Sequence, residues 1–502
     1  MSVLFLANVG NHDLLLTDPS LLPPEHQKAY RERELPARRL GEIILSDPGR
    51  YAGAVTFPLI GASLRWLLEE EGVPPDDLQI HLFATDQRRP PVTPEGEWLK
   101  DTIDFAEVIR RGLMDGWLEW EMETEEGRRE RRPLRLPKRQ VRVHRIQYNP
   151  ADYRDMLHYF SRELPRLSER AGEVERVYLE VTGGTPAMAS MLLVAGVEVF
   201  GRRLHTLYVG RGADRPYRVG IGERLLRRRS FAALREQIGL HAYAVARSAL
   251  AEEGEWLLPD RERRACVDAL LEYADRRLAF DFERARRAAR RAVEHAPPEA
   301  RSRVLGWERE LQSRETADLL AELVHSMRIK YRLGEYADFL SRLFRFQEAA
   351  LRYLAERVGL QYKDEEGKYV DPAWLRNVPG LEPFLREYPL EGGELRVDIP
   401  LNRISLGAIV DFFAQTDPDL RAAIGERDGL RRLSSLARLR NKGLAGHGFE
   451  GIGKEDLAKA FGEDADQIVP FVEDLYARVC GRPVPPDPYA AVNGLLQEML
   501  TA

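Results

Sequence analysis

The chain is short of cysteine, of long apolar runs and of positive charge, and each shortage removes a class of protein. Two cysteines in 502 residues, Cys266 and Cys480, are too few for a disulfide framework or for zinc-finger spacing, and they fit a reducing compartment. No apolar run approaches the ~20 residues that cross a bilayer. The first residues run straight into Val3-Leu4-Phe5-Leu6-Ala7 with no basic segment ahead, which reads as a strand and not as a secretion signal. The expectation is a soluble, cytoplasmic protein with no membrane partner. A net charge of −6 argues against a broadly basic nucleic-acid binder, so any RNA contact is local and transient, and no stable DNA partner is expected.

The common nucleotide fingerprints are also missing: no Gly-Lys-Ser/Thr P-loop and no G-x-G-x-x-G. What remains is ordinary globular material, 44% hydrophobic and 31% charged, enough at this length for more than one core. Arginine greatly outnumbers lysine, most densely at residues 284–291, a weak sign of an ion-pair-rich surface.

Short apolar runs alternate with helical stretches up to about residue 225, the rhythm of a Rossmann-like α/β domain. Strands are expected at 3–7, 78–84, 177–181 and 204–209, and residues 117–123 and 141–146 alternate in period two like a hairpin or insertion across an Arg-rich turn. The segment 186–200 is apolar nearly all round. It is therefore expected to be buried on every side, against the sheet and either a second helix or a second protomer. Residues 226–325 read as charged amphipathic helices, a connector, and 326–502 as an all-α helical bundle with a proline break at 483–486 before a last helix.

Two sites stand out. Thr182-Gly183-Gly184-Thr185-Pro186 follows a strand and opens a helix. Proline suits the first turn, glycines let backbone approach a ligand, and free amides at a helix start favour an anion. Open α/β sheets bind ligands at strand ends. The loop bearing Asn8, Gly10, Asn11, His12 and Asp13, and Gln87 after the second strand, should open on the same edge, making an amide-rich pocket suited to a nucleotide. A plain strand-to-helix turn with a convenient glycine pair reads the same way.

The second site is Arg440-Asn441-Lys442-Gly443-Leu444-Ala445-Gly446-His447, and His447 is the only histidine after His325. Arg440 and His447 are close to two helical turns apart and can share a face. Arginine offers a permanent planar cation to a phosphate, and histidine exchanges protons near neutral pH. RNA carries its own 2′-hydroxyl nucleophile, so metal-free cleavage needs proton transfer and charge stabilisation on the phosphorane. One histidine does not comfortably serve as base and acid in one turnover, and a symmetric dimer supplies two. The competing reading is a solvated histidine between glycines at a helix end, interacting with the helix dipole.

An α/β domain with a polar first-strand loop and a Thr-Gly-Gly-Thr helix start, joined through helices to a bundle bearing Arg440-Asn441 and His447, resembles the CARF–HEPN ribonucleases of type III CRISPR systems, the Csm/Csx accessory effectors. The resemblance assigns 1–225 to CARF and 326–502 to HEPN, with 226–325 as connector. It implies a homodimer whose CARF pair binds a cyclic oligoadenylate. Tetra-adenylate is the expected ring, although the motif does not set ring size. The HEPN pair then cuts single-stranded RNA in antiviral defence, without metal, leaving a 2′,3′-cyclic phosphate. Carried onto this chain, Arg440 is the HEPN arginine, Asn441 its polar companion and His447 the histidine. The six residues between Arg440 and His447 stand at the long end of the family's spacing. The ligand loops map onto Asn8 to Asp13 and Thr182 to Pro186. Two other classes share these features: a ligand-sensing regulatory protein with a non-catalytic HEPN bundle, and a nucleotide hydrolase or transferase confined to residues 1–225.

Overall fold

The computed structural model describes every residue except 1, 90–92, 124–127, 313–314, 390–394, 396–399, 426–428, 444–447 and 502, and the backbone alone at 123, 437 and 442. The chain forms two compact units, Met1–Ser230 and Phe231–Ala502.

The first unit is built on six strands: β1 (Ser2–Asn8), β2 (Leu78–Thr85), β3 (Val141–Ile146), β4 (Val174–Glu180), β5 (Leu204–Val209) and β6 (Pro216–Arg218). They lie in the order β6-β5-β4-β1-β2-β3. All pairs are parallel except β5 with β6. Alternation along β1 places Val3, Phe5 and Ala7 in one core, with helices Ala37–Ser46, Pro58–Glu69 and Ile103–Asp115. Leu4 and Leu6 point into the opposite core, with helices Tyr153–Ala171 and Pro186–Phe200. A strand covered on both faces must be apolar throughout, and each fully buried large side chain contributes about 2 kcal/mol. The chain winds outward from β1 through β2 and β3, then crosses back to β4 on the other flank. The switch point therefore falls between β1 and β4, where loops at the carboxyl ends diverge and leave room for a ligand.

Two expectations change here. Residues 117–123 do not pair with 141–146: the partner of Glu119–Glu123 is Arg129–Pro133, in register Glu121 with Arg131. Val141–Ile146 instead joins the main sheet as its edge strand, beside β2. Its end residues Val141 and Ile146 are buried, whereas Arg129–Pro133 is exposed throughout and held by cross-strand charge pairing of Glu121 with Arg129 and Arg131. Within one chain, helix Pro186–Phe200 is covered on one side only. Ala187, Met188, Leu192, Ala195 and Phe200 face the core, while Val194 is 48% exposed.

The second unit is helical and holds two cores. Helices Tyr243–Leu257, Arg261–Leu278, Phe282–His295 and Pro298–Glu310 share one of them. The closing helix Pro488–Met499 packs into that same core through Tyr489, Val492 and Leu496. The other core is made by Thr316–Arg332, Tyr336–Arg357, Arg403–Ala414 and Ile468–Cys480. Where the two cores adjoin, buried Arg277 donates through Nε to Glu322 (3.0 Å), and its guanidinium also meets the Tyr273 hydroxyl. No described helix is long and apolar enough to cross a membrane.

Candidate functional site

At the switch point the two glycine-bearing loops touch. A Cβ on Gly183 would collide with the Asn8 carbonyl oxygen and stand 2.8 Å from Asp13 Oδ2. One on Gly10 would come within 2.7 Å of the Gly184 amide nitrogen. Gly184 has φ +81°, a left-handed conformation that disfavours a side chain. The cradle thus unites Asn8, Gly10, Asp13, Gly183 and Gly184. Asn11, His12 and Pro186 lie around it exposed to solvent. Thr182 Oγ1 accepts from the Val209 amide (2.8 Å), tying the loop to the end of β5. Thr185 caps helix Pro186–Phe200, its Oγ1 accepting from the Met188 amide (3.2 Å) and donating to the Pro150 carbonyl.

Asn8 ends β1 fully buried, and neither its Oδ1 nor its Nδ2 has a partner. A buried unpaired amide costs about 1–3 kcal/mol. Asp13 is not presented to solvent as a ligand group would be. It is fully buried, with Oδ2 accepting from the Gly10 amide (2.7 Å) and Oδ1 unpartnered. Sequence reasoning missed Glu180, the buried last residue of β4, whose Oε1 accepts from the Thr182 amide (2.7 Å) and Oε2 from the Gly183 amide (3.2 Å). A carboxylate directly after the apolar run Val177-Tyr178-Leu179 was the available signal. Two of the amides expected to face an anionic ligand, those of Thr182 and Gly183, are therefore already engaged by Glu180. Burial first, then the nearby Glu180 charge, holds the Asp13 carboxyl well above the usual carboxylate range. Burial also raises Glu180, while the Thr182 and Gly183 amides oppose that rise. The two amides on its oxygens favour the ionised form at Glu180 more than at Asp13, where burial favours the neutral acid.

Gln87 is not brought to these loops by any described hydrogen bond. Its amide nitrogen and side chain donate to Asp101 (2.7 and 3.0 Å), inside a network in which Arg38 also binds Asp86 and Asp101. It lines a cavity of about 920 Å³ beside β3, together with His144, Tyr148 and Tyr159.

In the second unit Arg440 and Asn441 lie on helix Ser434–Lys442, which is seated by buried Leu436 and half-buried Leu439. The Arg440 guanidinium carbon stands 4.1 Å from the Phe344 ring centroid. Its Nη2 donates to Asn441 Oδ1 (3.0 Å), and its buried Nε has no partner. The guanidinium is thus held by a neutral ring and a neutral amide, with cationic character left for a phosphate. His447 lies outside the described residues; the described chain resumes at Gly448 and Phe449, whose side chain is 95% exposed. Sequence reasoning also missed Arg403, which shares the Phe344 ring at 6.0 Å and donates to Ser434 Oγ (2.7 Å). Among the described residues, no group of three or more His, Cys, Asp or Glu side chains is placed to hold a metal ion.

A doubly wound sheet with a glycine-lined cradle at its switch point, leading into an all-helical unit, is the class of architecture these features define. The same fold occurs in Csm6 of Enterococcus italicus, solved bound to cyclic hexa-2′-fluoro-hexa-dAMP, with a TM-score of 0.58 over 99% of this chain and 100% of that one. The identity is 12%, so the likeness is one of fold. No protein-family model and no curated protein matches the chain.

Proposed function

We propose that the chain is a cyclic oligoadenylate-activated, metal-independent endoribonuclease of type III CRISPR defence, working as a homodimer. Residues 1–225 serve as the CARF sensor, 226–325 as connector and 326–502 as the HEPN nuclease. The observation that carries the reading is the end-to-end fold likeness to a protein solved with a cyclic oligoadenylate analogue, combined with unsatisfied polar atoms of Asn8 at this chain's own switch point.

In this reading the activator occupies the cradle of Asn8, Gly10, Gly183 and Gly184, rimmed by Asn11, His12, Thr182, Thr185 and Pro186. Asp13 braces the first loop from beneath. In the nuclease, Arg440 stabilises the charge that develops on the phosphorane, and Asn441 fixes the guanidinium fork. One protomer's His447 takes the proton from the attacking 2′-hydroxyl; the second protomer's copy protonates the leaving 5′-oxygen, and a 2′,3′-cyclic phosphate remains.

The test is a fluorogenic RNA assay with cyclic tetra-adenylate and cyclic hexa-adenylate, with and without EDTA. Cleavage is expected only with one of these rings, to survive EDTA, and to vanish in His447→Ala while activator binding persists. Activity retained by His447→Ala refutes the catalytic assignment, and tight activator binding without cleavage of any RNA favours a sensor with a silent bundle.

A further inference from the structure

Around Arg440 the described residues gather positive charge. Among the described residues, no carboxylate bonds Arg403, Arg438 or Arg440. Other arginines of the same unit are matched, such as Arg277 with Glu322, Arg328 with Glu473, Arg432 with Glu463 and Arg482 with Asp318, or spend their donors on backbone carbonyls, as Arg357 and Arg421 do. Arg403 is half-buried at the first position of helix Arg403–Ala414, where the positive end of the helix dipole disfavours a cation. Burial, then the charges of Arg438 and Arg440, depress its pKa. Like charges this close destabilise the fold unless an anion joins them.

Neutral groups, not acids, orient the cluster. Arg403 Nη1 donates to Ser434 Oγ (2.7 Å) and to Gln347 Oε1 (3.3 Å). Buried Gln347 is itself fixed by donation to the Leu430 carbonyl (2.6 Å). Arg403 and Arg440 share the Phe344 ring, at 6.0 and 4.1 Å from its centroid, close enough to serve neighbouring phosphates of one strand. A guanidinium held in place by neutral hydrogen bonds keeps its full charge for a ligand.

We propose that Arg403 forms a second phosphate subsite beside Arg440, for the phosphate adjoining the scissile one in single-stranded RNA. The proposal rests on the ribonuclease reading and deepens it: the enzyme recognises a chain with at least two phosphates, not an isolated linkage. Arg403 is a positioning residue, and Arg440 alone meets the reacting phosphate.

The test uses the full-length, activator-loaded protein. In a His447→Ala background, binding of a labelled single-stranded RNA is measured by anisotropy across salt concentrations. Arg403→Gln is expected to flatten the slope of log affinity against log salt by about 0.7, the single-strand value per phosphate contact. In the cleaving enzyme, this variant is expected to lose about tenfold more kcat/KM on a trinucleotide than on a dinucleoside monophosphate, with the difference in KM. Arg403→Lys keeps the charge while losing the fork, and is expected to retain the salt slope, so it tests the idea even if Arg403→Gln misfolds. An unchanged salt slope in Arg403→Gln, or equal losses on both substrates, overturns the subsite while leaving the ribonuclease reading intact. If the unaltered protein neither binds nor cuts RNA, both fall.

Discussion

Asp13→Asn is expected to stabilise the N-terminal unit by an amount that grows with pH. Asp13 is fully buried, and burial together with Glu180 keeps its pKa well above the ordinary 3.8. The folded form therefore holds a proton that the unfolded chain releases. Stability from the neutral acid is complete below the unfolded pKa and is lost as pH rises through the folded one, at about 1.4 kcal/mol per pH unit between them. An amide has the shape of the neutral acid, keeps an acceptor for the Gly10 amide and does not titrate. For a unit of this size 1 kcal/mol moves Tm by about 2–4 °C, so the gap between variant and unaltered protein should widen by about 3–6 °C per pH unit within that window. Calorimetry from pH 5 to 8, following the N-terminal transition, measures it. A gap that stays constant, or a variant less stable at every pH, would mean that Asp13 is ionised in the fold.

Asn8→Leu removes two buried, unpartnered polar atoms. It is expected to stabilise the activator-free protein by about 1–3 kcal/mol while weakening activator binding at least tenfold in calorimetric titration. Unaltered affinity would exclude Asn8 from the ligand site. Arg277→Met strands buried Glu322 and should cost about 3–5 kcal/mol in chemical denaturation, most of it restored when Glu322→Leu is added. A double variant as unstable as the single one contradicts that account.

The strands of the first unit were legible because they are buried on both faces. Continuous apolar runs located β1, β2, β4 and β5 to within a few residues. The hairpin was misread because Arg129–Pro133 contains no residue that seeks a core, and the edge strand Val141–Ile146 alternates as a hairpin strand does. The loops at Asn8 and Gly183 were identified from their residue types, yet their support was not. Glu180 ends a strand that also carries Glu175 and Arg176, so its type did not single it out, and Gln87 is claimed by Asp101, fourteen residues on. The arginine cluster escaped for a related reason: Arg403 and Phe344 belong to helices far from Arg440 in sequence, and only packing brings them together.

Glu180 has one further consequence. By occupying the Thr182 and Gly183 amides, it removes two donors that a phosphate would otherwise meet, so in the proposed function the cradle would read its ligand more through neutral contacts. The proposed nuclease end would grip RNA by charge. Ionic strength would then act on the two ends unequally: salt would loosen the hold on RNA more than the hold on the activator. If the proposed function holds, such a molecule would stay switched on and still let go of what it cuts, so the duration of the signal and the grip on the target would be set independently.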